Sequence, residues 1–432
     1  MKDAKENTMI LKTAAVAVIA AIMLICTVYA GDLNPSAPPT AGTMKTLDEV
    51  QPAEPIDSDD MPMTISESGS YYFTENIHLP AAITAITIEA NDVTLDMKGF
   101  TLSGPGGGSG AGAGIHASDA SLTNIVIANG TVRDFRWYGV KLEGTDHRVT
   151  AISALGNGSN GISISGSVLS CTARANGSSG IVISNGTAEG CTTRANQGYG
   201  INASSASVIN CIATGNTSPG FNGSQSSFAG CIANGNTSYG FSVSDSSLRG
   251  CSATENGSDG FYTSSSSLNN CTASSNEDYG IRSYYSSIVG CTAKSNGTDG
   301  SGDGIRGQTS CTINGCVAYD NADDGISTLY GGSIMDCSVY DNGEDGISAS
   351  YKAVIKNCSS ANNGVHGIYV AHDCRVEANN LRDNDGWGLK VNNTDGYNYC
   401  ILNVASDNTL GEFYIPSGNY VPTTGDNANY SF

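Results

Sequence analysis

Apolar residues in this chain fall in short alternating runs, of the form Ile-x-Ile or Cys-x-Ala, separated by Gly, Ser, Thr and Asn. Alternation puts every second side chain on one face, which is the signature of short strands rather than helices. The runs also recur. Cys171, Cys191, Cys211, Cys231, Cys251, Cys271 and Cys291 keep a strict period of twenty, and five positions after each stands Asn176, Asn196, Asn216, Asn236, Asn256, Asn276 or Asn296. Nine positions after the first six cysteines come Gly180, Gly200, Gly220, Gly240, Gly260 and Gly280, each followed by Ile or Phe. After an insertion behind Gly300 the frame resumes at Cys316/Asn321/Gly325, Cys337/Asn342/Gly346 and Cys358/Asn363/Gly367, and Ile152/Asn157/Gly161 precedes it with Ile in place of Cys.

A repeat that cannot bury its apolar face alone must stack on its neighbours. If each period is one coil, equivalent residues lie ~4.8 Å apart, so the cysteines form an internal column and the asparagines an amide ladder. Leucine-rich repeats need more Leu, Gly-Gly-x-Gly-x-Asp calcium rolls are absent, and a left-handed helix would repeat every three hexapeptides. The predicted fold is all-β: a single-stranded right-handed parallel β-helix, a β-solenoid with coils of about twenty residues, over 63–410.

The flanks differ. Residues 1–30 carry Lys2, Lys5 and Lys12, then an apolar core and a small-residue site ending at Ala30, which predicts an export signal, with an uncleaved anchor as the alternative. Residues 31–62 are rich in Pro and acids and predict a linker or extended lead-in; 411–432 predict a tail or cap. The expected location is extracytoplasmic or secreted, with no membrane association beyond the signal. A net charge of −21 disfavours nucleic acid and anionic lipid and favours divalent cations, calcium among them. Oligomeric state is not legible.

An exported chain with many cysteines suggests disulfides. Stacked cysteines, however, have parallel Cβ vectors a full coil apart, beyond disulfide reach, so the ladder is expected to hold thiols. Cys311–Cys316 and Cys374–Cys400 are the better disulfide candidates. The residue before the frame Gly runs Asn160, Ser179, Tyr199, Pro219, Tyr239, Asp259 and Tyr279, then becomes Asp303, Asp324, Asp345 and His366. With Asp323 these carboxylates form an acidic strip that either sits hydrated in turns or holds a cation, the metal candidates being Asp303, Asp323, Asp324 and Asp345. Tyr319 and Tyr340, with Asp320 and Asp341, predict an aromatic and acidic shelf for sugars, or plain strand propensity. The catalytic candidates are Asp324, Asp345, His366, Lys390 and Arg306.

The repeat with its Asn ladder resembles that of the pectate-lyase-like (pectin lyase fold) superfamily. Ile86 to Gly104 looks like an opening coil of its secreted bacterial members, and Asn129 to Phe135 like a second. Asp323-Asp324-Gly325 and His366-Gly367 are similar to the double-Asp and His elements of polygalacturonases, although Val365 stands where a Gly would precede the His and no terminal Arg-x-Lys follows. The resemblance implies a fold shared by lyases, hydrolases, epimerases, adhesins and scaffolds. Two functions follow: an exported non-catalytic surface or carbohydrate-binding scaffold, with acidic or neutral polysaccharide as its candidate partner, which the monotony of coils 171–291 favours, or a polysaccharide-processing enzyme (uronate lyase or glycoside hydrolase) with its site on 294–390.

Overall fold

The computed structural model describes residues 53–106, 112–392, 397–421 and 428–431; the expected export signal and residues 31–52 lie outside the described residues. Strands of about 21 residues per turn wind through about 17 turns of one parallel β-solenoid. A regular coil has three strands, such as Ile201–Ser204, Ser207–Ile209 and Ile212–Thr214. Each pairs in parallel, in register, with its equivalent twenty residues on: Ile201 with Phe221, Val208 with Phe228, Ala213 with Ala233. Alternation sends Ile201, Ala203, Val208 and Ala213 into the core and Asn202 outward. Strand pairing is already present at Ala53–Ile56, against Ser70–Phe73, and continues through Gly411–Tyr414 and Tyr430–Ser431.

The three corners of a coil share one construction. Each turns through a left-handed residue, such as Ser205, Asn210 and Gly215, with φ of 49°, 51° and 61°. Immediately after it comes a buried residue whose backbone N–H points along the interior, off the sheet ladder. Three columns of side chains supply its acceptor from the next coil. At the third corner Asn216 N–H donates to Asn236 Oδ1 (3.0 Å), and its Nδ2 donates to the same oxygen. Such links run unbroken from Asn157 to Asn408. At the second corner sulfur does this work, Cys191 N–H donating to Cys211 Sγ at 3.4 Å. At the first corner serine does it, from Ala206 N–H to Ser226 Oγ (3.2 Å) and on through Ser246, Ser266 and Ser286.

The cysteine column is therefore a hydrogen-bonding ladder as well as apolar filling. It is bounded at both ends. Ile152 N–H donates to Cys171 Sγ at the start, and beyond Cys358 the acceptors become Asn379, Asn403 and Asn429. All thirteen cysteines of the described residues are free and buried, so the two expected disulfides do not form. Cys311 follows the left-handed Ser310 and belongs to the first corner, whereas Cys316 follows Gly315 at the second. Cys374 lies beside Asn398 in register, and Cys400 pairs with Val376 in the middle of a strand. The partners stand in different columns.

The frame glycines follow from the same packing. A Cβ on Gly260 would meet Asn276 Nδ2, the Gly280 carbonyl oxygen and Ala273 Cβ, the first two at 2.7 Å. The amide ladder thus occupies the volume a side chain would need.

Asn256→Ala leaves Asn236 N–H and Nδ2 without their acceptor and removes a donor to Asn276 and Ala233. Orphaning such buried groups costs about 1–3 kcal/mol each, and thermal melting should report a clearly lowered midpoint. A thiol reagent should label none of Cys171 to Cys400 in the native protein and all of them in denaturant.

Candidate functional site

One corner carries the chemistry. Its unit is four residues long: a turn residue, the frame Gly, an inward Ile, Phe or Leu, and an outward residue at the start of the next strand. Stacking turns this unit into two adjacent columns. The turn column reads Tyr239, Asp259, Tyr279, Asp303, Asp324, Asp345, His366 and Trp387. The strand column reads Tyr262, Arg282, Arg306, Ser327, Ser348, Tyr369 and Lys390, each paired in register with the next.

The turn column is itself a fourth ladder. Asp324 Oδ1 accepts from Asp345 N–H at 3.0 Å, Asp345 Oδ1 from His366 N–H at 2.9 Å, and His366 Nδ1 from Trp387 N–H at 2.9 Å. Asp259 and Asn160 do the same for Tyr279 and Ser179. One oxygen or ring nitrogen of each is thereby committed to structure. Because Nδ1 of His366 is an acceptor, the neutral ring carries its proton on Nε2; burial, then Lys390, pushes its pKa down to about 4.

Toward the earlier coils the two columns interlock as alternating rings and cations. The Arg282 guanidinium lies 5.0 Å from the Tyr262 ring and 5.2 Å from Tyr279. Arg306 lies 5.2 Å from Tyr279 and donates to its hydroxyl at 3.0 Å. Fully buried Asp259 sits 2.8 Å from Arg282 Nε. That distance suits charge attraction, but the two atoms are not aligned for a hydrogen bond, and each lacks one. Burial outweighs Arg282 and raises Asp259 to about 6.

At the centre, Asp303, Asp323 and Asp324 each place a carboxylate oxygen within 4.8 Å of the others. Asp303 is 1% exposed. Its Oδ2 accepts from the Ser327 hydroxyl and lies 3.5 Å from Arg306 Nη1, while Oδ1 has no partner among the described residues. Burial raises Asp324 well above the carboxylate range, reinforced by Asp303 and Asp345; burial likewise raises Asp303. Three clustered carboxylates, one of which carries an orphaned oxygen in a dry setting, suit a hard cation completed by water. A cleft of about 90 Å³ lined by Arg306, Asp324, Ser327, Thr328 and Ser348 adjoins them.

Asp345, the fourth residue of the expected acidic strip, falls outside that group. Its neighbours are His366, Tyr369 and Lys390: the His366 and Tyr369 rings lie 6.3 Å apart, and Lys390 Nζ stands 5.9 Å from Tyr369. Burial is the first cause raising Asp345 to about 7. Tyr319 and Tyr340 occupy another strand and stack face to face, 5.0 Å apart at 10°, so the faces they share are closed to a sugar. Asp320 and Asp341 are exposed left-handed corner residues with φ of 55° and 57°. Lys390 and Arg306 were candidates already, whereas Tyr262, Arg282 and Tyr369 were missed by following the residue before Gly alone; the outward residue two positions after that Gly carries the signal.

Residues 261–405 match the family model for a right handed beta helix region, and right-handed parallel β-helix is the fold. No curated protein matches the chain in sequence. Among solved structures, the A-module of the mannuronan C-5 epimerase AlgE4 of Azotobacter vinelandii aligns at 14% identity and a TM-score of 0.33, over 84% of this chain and 91% of that one. The pectate lyase Pel9A aligns at 17% and 0.28, over 79% and 72%. Tailspike protein 3 of bacteriophage CBA120 aligns at 13% and 0.27, over 85% and 56%.

With Asp345 raised to about 7, the native state keeps a proton that an unfolded aspartate releases near ~4. Stability therefore falls as pH climbs from about 4 to 7. Asp345→Asn keeps the acceptor for His366 N–H but cannot ionise. Its stability relative to wild type should rise by about 1–3 kcal/mol between pH 5 and pH 8 in denaturant titrations; a constant difference would remove Asp345 as the titrating group.

Proposed function

We propose that the chain is an exported β-helix protein that binds an acidic polysaccharide along these two columns. The observation that carries the reading is the alternation of rings and cations, Tyr262–Arg282–Tyr279–Arg306 and then Tyr369–Lys390, on one face of a chain that has only 20 Lys and Arg against 41 Asp and Glu. Guanidinium and ammonium groups recognise carboxylates, and aromatic rings suit the apolar faces of pyranoses. The overall negative charge opposes a polyanion. Locally, though, burial keeps protons on Asp259, Asp303, Asp324 and Asp345 into the range where uronates are ionised. A cation on Asp303, Asp323 and Asp324 would act in the same direction. Export with cleavage near Ala30 belongs to this reading, since polysaccharides of this kind lie outside the cell.

Binding to polygalacturonate or alginate should tighten as pH falls from 8 to about 5.5, because the column carboxylates take up protons while the polymer stays charged. Arg282→Ala should weaken it about tenfold by calorimetry. Equal affinity for a neutral glucan, without pH dependence, would move the reading to neutral polysaccharide.

A second reading, an enzyme acting on uronates, is favoured by the meeting of Asp345, His366, Tyr369 and Lys390. A lysine to neutralise the uronate carboxylate beside groups able to exchange a proton is the chemical requirement of a lyase. Incubation with the same polymers, with and without calcium, decides between the two. Unsaturated product that disappears in Lys390→Ala would establish the enzyme; retention without cleavage or change in the polymer would establish the binding protein.

A further inference from the structure

The strand column does not begin at Tyr262. It continues in register through Ser242, Asn222, Asn202, Val182 and Ser163 to Lys141 and His116. Those five intervening residues are uncharged and non-aromatic. At Lys141 the chemistry returns. Trp137 and Tyr138, in the turn before frame residue Gly139, stand 4.6 Å apart at 48°, and Lys141 Nζ lies 5.5 Å and 5.1 Å from their rings. Glu143 holds the same ammonium at 2.6 Å. The His116 ring meets Trp137 edge-on at 5.7 Å, and its buried Nε2 has no hydrogen-bond partner among the described residues. Burial and Lys141 push the His116 pKa down, so the ring is neutral. Ring, cation and an unfilled polar atom thus converge on the same face as in the later coils.

We infer that this cluster is a second binding site for the same polymer: Trp137 and Tyr138 pack on a pyranose, and Lys141 meets a carboxylate. The site rests on the polysaccharide reading and adds a second grip to it. Geometry links the two. Six coils separate Lys141 from Tyr262, and eight separate it from Arg306, which is ~38 Å at one coil spacing per step. An extended 1,4-linked polysaccharide advances by one sugar ring over a distance comparable with one ~4.8 Å coil step. A straight chain of about ten sugars laid along the column therefore reaches both clusters, crossing small residues between them. Since the solenoid is rigid in register, the second contact is made at high effective concentration, and long chains gain affinity that short ones cannot.

The test uses the full chain and size-fractionated oligogalacturonates in calorimetry. Wild type should bind two tetramers per chain, and oligomers of about fifteen sugars at least tenfold more tightly than tetramers. Trp137→Ala should reduce tetramer stoichiometry to one and abolish the gain for long chains, while Arg282→Ala should remove the other tetramer. Lys141→Gln, an outward substitution that leaves the core untouched, should reproduce the Trp137→Ala result if that variant proves unstable. One tetramer per wild-type chain, lost in Arg282→Ala and indifferent to Lys141→Gln, overturns the second site and leaves the polysaccharide reading standing. Absence of binding by either length overturns both.

Discussion

A solenoid of this kind depends on what happens to the backbone where it turns a corner. Each corner uses one left-handed residue, and the next N–H then points into the interior, where no strand carbonyl can receive it. An unpaired buried donor is costly, and about 17 turns with three corners apiece would multiply that cost beyond what the core could offset. The repeat solves it with side chains that accept from one coil below and donate to the wall beside them. Asparagine, with both functions, carries the longest unbroken ladder; cysteine and serine serve at the other two corners. Register follows, because an acceptor one coil out of place satisfies nothing.

The same corner rule shapes the chemistry. In the turn column, Asp324, Asp345 and His366 each use one atom to receive an N–H from the coil above, leaving a second atom for other work. Structure and recognition share one side chain. It also explains the crowding of carboxylates: a ladder acceptor must recur every coil, and when the acceptor is Asp the charges recur too. Burial relieves the repulsion by retaining protons, and the flanking Arg282, Arg306 and Lys390 supply opposite charge in the neighbouring column.

The sequence made the solenoid legible because two ladders use one residue type each, so Cys and Asn mark each coil from Cys171 to Cys358. The first-corner ladder was not legible, since Ala206, Ser226, Cys311, Gly332 and Ala353 occupy equivalent places with no common letter. The hydrogen-bonding role of cysteine was hidden by its usual behaviour as a small apolar residue. Disulfides at Cys311–Cys316 and Cys374–Cys400 were suggested by nearness along the chain, whereas columns decide nearness in space. The acidic strip was found because it lies beside an invariant frame Gly. Of its companion column only Arg306 and Lys390 stood out, because outward strand positions vary freely, and the cluster around Trp137 was overlooked because the coils before Ile152 have no cysteine to set the frame.

The limits of the sulfur ladder have a bearing on how the chain is made. Sulfur occupies only the middle of the second corner, with an aliphatic plug at Ile152 and amides from Asn379 onward. All thirteen cysteines of the described residues are buried. Protection begins only when coils have closed over one another, so the thiols are sheltered by winding and not by any single coil. Once wound, the protein holds a reserve of reduced sulfur that its own architecture keeps out of exchange.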